Sequence, residues 1–291
     1  MPWWRGWGPL VVLPVVVLAF APRAWPRWAL MWALAAAIYA GCKWVTWRRT
    51  PVAGATWPRQ FGYLFLWPGM DAASFLDASR PGAVERPPAR EWTAATIKLA
   101  SGLALLYAVA RALPPHRPYL VGWVGMAGLA LALHFGLFHL LSCVWRSRGV
   151  AARRLMERPL AAASVAEFWG RRWNRAFRDL THRFLFRPLV GGLGPARATL
   201  VGFGISGLAH ELVISLPARG GWGGPTLFFA VQGAAILAER SALGRALGLE
   251  RRWRGRLYTV AVLLAPAPVL FHPPFVVRVV VPFLVAIGAL G

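Results

Sequence analysis

The stretch Phe203-Gly-Ile-Ser-Gly-Leu-Ala-His-Glu211 lies inside an apolar run at 197–216, which is long enough to cross a bilayer as a helix. Glycine, serine and alanine recur through it, and such small side chains let helix backbones approach closely within a membrane. A polar residue in hydrocarbon is costly and by default marks a functional site. The run therefore predicts a tightly packed membrane helix with His210 as its functional side chain.

Apolar runs of similar length recur along the whole chain. Hydrophobic residues make up 57% of the 291 residues, which excludes an ordinary soluble domain. The fold class predicted is all-α: a polytopic integral membrane protein with about eight transmembrane helices. The first run is short and contains Pro14, so a signal peptide cleaved after Ala21 is its alternative, although Pro22 argues against cleavage. The predicted spans are 9–22, 28–47, 92–113, 119–145, 197–216, 222–239, 257–272 and 275–290.

The basic residues lie mainly between these runs. A formal charge of +23 suggests nucleic-acid binding when taken alone, but the distribution follows the positive-inside rule instead. With the N-terminus inside, the inside loops hold 26 basic residues and the outside loops five. We therefore expect no nucleic-acid partner, contacts with membrane lipids, and both termini in the cytoplasm. The expected location is a bacterial inner membrane.

A second segment, Ser164-Val-Ala-Glu-Phe-Trp-Gly-Arg-Arg-Trp-Asn174, predicts an amphipathic helix. Ser164 and Glu167 form a capping box, in which a hydroxyl and a carboxylate bind amide groups at a helix start. Beyond it, aromatic and arginine residues fall on opposite helical faces, which is typical of an interfacial helix. Asn174, the one asparagine of the sequence, lies at the margin of the apolar face. That face consists of Trp169, Trp173, Phe177, Leu180 and Phe184.

The loop 48–91 contains a third distinctive segment, Trp67-Pro-Gly-Met-Asp71. It follows the apolar run Phe61–Trp67, and its Pro-Gly pair forces a turn. The run is too short to cross a bilayer, so the sequence predicts a re-entrant or interfacial segment here.

Together these segments resemble the wax synthase branch of the membrane-bound O-acyltransferase family. The similarity is carried by Phe168-Trp-x-x-x-Trp-Asn174, by Phe203-x-x-Ser-Gly-x-x-His-Glu211 and, less specifically, by Trp67–Asp71. The resemblance implies a single membrane-embedded acyltransferase domain over 1–291, with its core at about 60–240. It also implies that His210 and Asn174 form the catalytic pair.

The resemblance implies transfer of a long-chain acyl group from acyl-CoA to the hydroxyl of a fatty alcohol or similar lipid, forming a wax ester. His210 would act as general base and the Asn174 amide as a donor to the oxyanion. Acyl-CoA is a co-substrate, and we expect no cofactor and no metal. Four residues are expected to support the pair and three arginines to bind the CoA phosphates: Ser206 (bonded to the imidazole), Glu211, Trp173 and Trp169 in the first group, and Arg171, Arg172 and Arg175 in the second.

Other functions are consistent with parts of the sequence. His210-Glu211 begins like a zinc-protease motif, but the second histidine of that motif is replaced by Ile214. His134 and His139 are rival bases, disfavoured because few polar residues surround them in the sequence. An acceptor such as diacylglycerol, a sterol or a sugar would use the same chemistry. A transporter or lipid-binding scaffold is the non-enzymatic alternative, although inverted repeats, which favour transport, are not evident.

Overall fold

The computed structural model describes residues 6–52, 54–77 and 84–291, and none of these residues lies in a β-strand. The all-α prediction is therefore confirmed for the described chain. Packing divides it into two compact units. One unit comprises Met1–Leu155 with Val280–Gly291, and the other comprises Met156–Val279.

The described part of the first unit contains six helices and the end of a seventh, which begins in the second unit. Small residues bring them together: a Cβ added at Gly41 would clash with the Leu10 backbone, and one at Gly102 with the Ala132 backbone. This packing is what a stripe of small side chains allows in a membrane bundle. The helices are α1 (Gly8–Phe20), α2 (Arg27–Arg48), α3 (Trp57–Phe65), α4 (Ala72–Leu76), α5 (Ala89–Ala112) and α6 (Pro118–Ser147).

The turn predicted at Pro68-Gly69 is present between α3 and α4. The chain leaves helical geometry after α3, and Asp71 then caps α4 by accepting a hydrogen bond from the Ser74 N–H at 3.1 Å. The buried Lys43 Nζ donates to the Gly69 carbonyl at 2.6 Å and so holds the turn against α2. The placement of this segment as re-entrant or interfacial stays a prediction.

The second unit contains the two motif segments. Its longest helix is interrupted at Gly194, whose φ of 74° is left-handed and which precedes Pro195. Proline disfavours helical geometry in the residue before it, so the predicted span at 197–216 begins just beyond a real break. The helices are α7 (Val165–Glu167), α8 (Arg175–Ala218), α9 (Gly224–Glu239), α10 (Ala242–Ala246), α11 (Arg252–Leu264) and α12 (Ala267–Leu270). A last helix, α13 (Pro273–Ala286), begins in this unit and ends in the first.

Every predicted span overlaps helix, although the span at 257–272 covers two helices, α11 and α12, and fewer helices are long enough to cross a bilayer. Among the described residues, α2, α5, α6 and α8 have the necessary length and apolar composition. A fifth span results if Arg252–Leu270 and Pro273–Ala286, which meet at a bend of 61°, are counted as one. Because α1 and α9 have only 13 and 16 residues, the count of eight stays a prediction.

The continuous amphipathic helix predicted from Ser164 to Phe184 is wrong. After α7 the chain makes a π-helical turn at Phe168–Arg172, and Trp173 then adopts extended geometry. Asn174 is left-handed, with φ 43° and ψ 59°, and a new helix begins at Arg175. Asparagine is one of the few residues that tolerate this conformation. Aromatic side chains on either side of this break therefore do not form one helical face.

Candidate active site

His210 lies on α8 immediately before a π-helical stretch, Glu211–Ser215. Its Nδ1 lies 2.7 Å from the Ser206 carbonyl oxygen. Because a carbonyl oxygen only accepts, Nδ1 must carry the hydrogen, and the neutral ring then keeps its lone pair on Nε2. The structure gives Nε2 no hydrogen bond from any described residue. In this tautomer Nε2 is the ring nitrogen that can accept a proton.

Ser206 is the predicted partner of His210, but the group that makes the bond differs. We expected the hydroxyl, which instead donates to the Gly202 carbonyl at 3.0 Å. Back-bonding of this kind is common for serine inside helices, because the carbonyl one turn earlier lies within reach. The backbone of Ser206, rather than its side chain, thus orients the imidazole.

Glu211 turns away from His210, as expected for adjacent helical residues. One carboxylate oxygen accepts from the Thr226 N–H at 3.1 Å and from the Thr226 hydroxyl at 3.0 Å. Thr226 lies in the first turn of α9, so Glu211 binds one of the free amide groups of that helix start. Its other oxygen, Oε2, is buried without a hydrogen-bond partner in the described part of the chain.

An aromatic cluster joins the two motif segments. The Phe229 ring on α9 lies 4.5 Å from the His210 ring and 5.7 Å from the Trp169 ring, between centroids. Trp169 also makes an edge contact with Phe203 at 5.8 Å. The Phe229 ring therefore lies between Trp169, in the π-helical turn, and the imidazole of His210.

Asn174 caps the helix that follows it. Its Oδ1 accepts from the Phe177 N–H at 3.5 Å, and its backbone N–H points to the Met156 sulfur at 3.1 Å. The side-chain Nδ2 donates to no described residue and so remains free for an acceptor. No hydrogen bond joins Asn174 to His210 within the described chain, and their sharing one cavity stays a prediction.

The other tryptophan of this segment, Trp173, packs against the π-helical turn. Its ring stacks on Phe168 at 5.6 Å with an angle of 12° between the planes. The backbone N–H of Trp173 donates to the Phe168 carbonyl at 2.9 Å, which closes the π-helical turn. Trp173 thus fixes the geometry from which Asn174 begins.

Two of the three arginines proposed for phosphate are engaged elsewhere. Arg172 donates to Glu167 at 2.8 Å, and Arg175 to Glu157 at 2.9 Å. Arg171 is exposed; its charge acts on Glu167, but among the described residues it forms no direct ion pair with a carboxylate. Phosphate binding stays a prediction, and the geometry now favours Arg171.

The capping box is confirmed. The Glu167 N–H donates to the Ser164 hydroxyl at 3.0 Å, and the Glu167 carboxylate accepts from the Ala163 N–H at 2.7 Å. Burial raises the pKa of the Glu167 carboxyl, but the Ala163 N–H and the Arg172 guanidinium lower it by more, so the pKa ends below its usual range. Glu167 is therefore a charged anchor for this turn.

Sequence reasoning missed Gln232, which is fully buried on α9. Its Nε2 donates to the Val262 carbonyl at 2.9 Å, so its oxygen is the atom that faces Trp169, whose Nε1 donates to it at 3.2 Å. The clue was present in the sequence: Gln232 is a polar residue inside the apolar run 222–239, as His210 is inside its own run.

Of the rival histidines, His139 has polar neighbours that the sequence did not predict. His139 is not isolated, because its Nε2 lies 2.9 Å from the Glu91 carboxylate. Glu91, His139 and Cys143 are buried and close enough to hold a metal ion. However, Arg146 and Arg154 also bind that carboxylate. Two guanidinium groups beside the same oxygen oppose a bound cation, so these residues fit an ionic network better than a metal site.

Comparison with known proteins supports the resemblance. Residues 152–231 match the model of the Membrane bound O-acyl transferase family. A probable long-chain-alcohol O-fatty-acyltransferase 9 of Arabidopsis thaliana is 32% identical over 134 residues, which cover 41% of this chain and 39% of that protein. A long-chain-alcohol O-fatty-acyltransferase of Simmondsia chinensis is 32% identical over 131 residues, covering 40% and 37% respectively.

The matched regions are partial, since they span less than two fifths of the length of these relatives. The family match over residues 152–231 contains the whole aromatic cluster around His210. The family match and the long apolar helices together identify an integral membrane protein. The resemblance inferred from the two motifs is confirmed: residues 152–231, which include Asn174 and His210, match a family of membrane-bound O-acyltransferases.

Proposed function

We propose that this chain is an O-acyltransferase that moves a long-chain acyl group from acyl-CoA to the hydroxyl of a fatty alcohol or similar lipid, forming a wax ester. The observation that carries the proposal is the hydrogen bond from His210 Nδ1 to the Ser206 carbonyl. It leaves Nε2 as the basic atom of a neutral imidazole. The named relatives, which are long-chain-alcohol O-fatty-acyltransferases, support the choice of acceptor.

The reaction requires a base because an alcohol is a poor nucleophile at neutral pH. As the alcohol oxygen attacks the thioester carbonyl carbon, its proton passes to Nε2 of His210. The Ser206 carbonyl stabilises the resulting imidazolium through the Nδ1 hydrogen. The C–S bond then breaks, the imidazolium returns the proton to the sulfur, and the products are an ester and free CoA.

The tetrahedral intermediate places a negative charge on the former carbonyl oxygen. Asn174 has the group for this charge, because its Oδ1 is used in capping while its Nδ2 hydrogens remain free. A donor aimed at a developing oxyanion typically contributes about 10²–10³-fold to the rate. No acyl-enzyme is needed, so we favour direct transfer with both substrates bound.

The distribution of charge supports the proposed donor and the proposed orientation in the membrane. Arg171 is exposed beside the Trp169 turn and suits a phosphate of acyl-CoA. The positive-inside distribution favours a cytoplasmic position for this turn, where acyl-CoA is found, and for both termini. A bacterial inner membrane stays a prediction.

The proposed function is tested with membranes that contain the full chain. Labelled acyl-CoA is supplied with a fatty alcohol, a diacylglycerol, a sterol or a sugar, and the labelled product is identified by chromatography and mass spectrometry. We expect a wax ester with the fatty alcohol. An ester formed only with another acceptor would correct the substrate, and no ester with any acceptor would refute the activity.

A further inference from the structure

A carboxylate at the end of α9 binds the start of the segment at 163–174, which contains Trp169 and is called the Trp169 segment below. Glu239 accepts from the Val165 N–H at 2.8 Å with one oxygen and from the Ala166 N–H at 3.0 Å with the other. These amide groups open α7, where free N–H groups carry a partial positive charge. Glu239 is 74 residues away from Val165 in sequence, so this contact fixes long-range geometry rather than a local turn.

Gln232 binds the same segment from the same helix. It lies seven residues before Glu239, which places both side chains on one face of α9. As described above, it is fully buried, and its oxygen receives the Trp169 indole N–H. Glu239 thus binds the beginning of the segment, and Gln232 binds its Trp169 side chain.

Apolar packing against α9 and α11 holds the other sides of the Trp169 segment. Val165 is fully buried against Ala235 and Ile236, which lie between Gln232 and Glu239 on α9. Gly255 of α11 touches the Ala163 carbonyl so closely that a Cβ there would clash with it. The segment therefore packs between α9 and α11, and of these two helices α9 provides the polar contacts described above.

We propose that Gln232 and Glu239 form a clamp that positions Trp169 against the His210 face of α8. The inference rests on the proposed function for its catalytic consequence. Neither residue is assigned to contact substrate; both are positioning residues that act through Trp169. Phe229, on the same helix, contacts both Trp169 and His210, so a shift of the Trp169 segment relative to α9 changes the wall beside the imidazole.

The clamp can be tested without measuring acyl transfer. Arg171 is exposed two residues after Trp169, so trypsin cleavage after Arg171 reports opening of the segment. Purified full chain in lipid nanodiscs is digested briefly and cleavage at Arg171 is quantified by mass spectrometry. Gln232→Met keeps the side-chain length without the hydrogen bonds, and Glu239→Gln leaves one amide group without an acceptor. We expect each variant to be cleaved at least about fivefold faster than wild type.

Thr259→Val is the matched control. Thr259 is buried in α11 of the same unit and donates to the Gly255 carbonyl at 2.7 Å, but it does not bind the Trp169 segment. Its substitution also removes one buried hydrogen bond with little change of volume. Cleavage at Arg171 should remain at the wild-type rate. Unchanged cleavage in both clamp variants, or equal acceleration in the control, would overturn the clamp.

A double-mutant cycle tests the catalytic consequence. Trp169→Phe and Gln232→Met should each lower kcat about tenfold while the KM for acyl-CoA stays within about twofold, because the groups position the site and do not bind the donor. The double variant should be no slower than the slower single variant, since both remove one interaction. Additive losses would refute the coupling. Absence of acyl transfer in the wild type would instead refute the proposed function, and the cleavage result would then decide the clamp alone.

Discussion

A histidine acts as a base only through a ring nitrogen that keeps its lone pair, and in this molecule the Ser206 carbonyl determines which nitrogen that is. The bond uses Nδ1 and leaves Nε2 without a partner from the described residues. The same bond restricts rotation of the ring, as does Phe229 packed against it. Orientation and tautomer are thus both set before substrate binds, which is the arrangement that efficient proton transfer needs.

Replacing the proposed base, His210, should abolish acyl transfer while expression and membrane insertion remain intact. We expect His210→Ala to lose at least about 10²–10⁴-fold in acyl transfer, the usual contribution of general-base catalysis. Insertion should remain near wild type because the change deletes a polar group from an apolar helix. Rates are measured on membranes with expression matched by immunoblot. His134→Ala is the control and should keep most of the activity; the opposite pattern would mean that the base is His134.

The Ser206 hydroxyl is predicted to be dispensable. Ser206→Ala keeps the carbonyl that binds His210 and loses only the hydroxyl bond to the Gly202 carbonyl. Acyl transfer should therefore stay within about threefold of wild type, since such back-bonding adds little to helix stability. A loss as large as that of His210→Ala would show that the hydroxyl, rather than the carbonyl, orients the imidazole.

Asn174→Asp separates the roles of one side chain. Aspartate tolerates left-handed geometry and keeps the oxygen that accepts from the Phe177 N–H, but it has no N–H to offer an oxyanion. We expect acyl transfer to fall by about 10²–10³-fold while the thermal midpoint changes little. Asn174→Gly, which also suits the backbone, should lose a comparable amount. Full activity of Asn174→Asp would exclude Asn174 as the donor.

At the residue scale, the sequence points to candidate residues more readily than to the hydrogen bonds that they make. His210 and Asn174 were visible because each is a rare polar residue in an apolar or aromatic setting. The Ser206 carbonyl that binds His210 lies one turn earlier on the same helix, so sequence spacing points to the residue but not to which of its groups makes the bond. The bond between Glu211 and Thr226 joins two helices, and the spacing of residues along the chain does not contain that distance. Gln232 satisfied the same criterion as His210 and could have been found by applying it to every predicted span.

Helix α9 is the element that organises the second unit. Its first turn is bound by Glu211, its middle carries Phe229 and Gln232, and its last residue is Glu239. Polar and aromatic side chains at these positions contact both motif segments. An apolar run that was predicted only as a span therefore supplies most of the contacts that organise the site.

The contact between α8 and α9 depends on a glycine. A Cβ added at Gly207 would lie 2.8 Å from the Thr226 Cα, whereas one added at Gly204 meets nothing within 4 Å. Gly207→Ala should therefore lower stability by about 1–3 kcal/mol and reduce acyl transfer. Gly204→Ala should be neutral or stabilise by up to about 1 kcal/mol, because alanine favours helix. Thermal midpoints in detergent provide the measurement, and equal effects at both positions would refute the close contact.

Hydrophobic patterning predicted the long apolar helices correctly. The prediction failed where the backbone leaves α-helical geometry. The interfacial helix failed because the periodicity of Trp169, Trp173 and Phe177 continues through a break at Asn174. Helical spacing of aromatics is compatible with a π-helical turn followed by a new helix, so the pattern alone does not detect the break. The left-handed asparagine was the one available clue.

For the whole molecule, charge gives information that helix packing does not. Apolar length explains why four or five helices can cross a bilayer, but it says nothing about which loops face the cytoplasm. The split of 26 basic residues against five depends on all eight spans being crossed in turn. The short helices α1 and α9 are therefore the points at which the topology is most open to test.

Cysteine labelling of intact cells tests that topology. In a background with Cys42→Ala and Cys143→Ala, single cysteines are placed in the three long basic loops as Glu85→Cys, Arg153→Cys and Arg251→Cys, and in predicted outside loops as Arg117→Cys and Arg219→Cys. All five positions are exposed. An impermeant maleimide should label only the last two, because basic loops remain in the cytoplasm. Permeabilised cells should label all five. Labelling of any of the first three in intact cells would overturn the eight-span arrangement and, with it, the cytoplasmic position of the Trp169 turn.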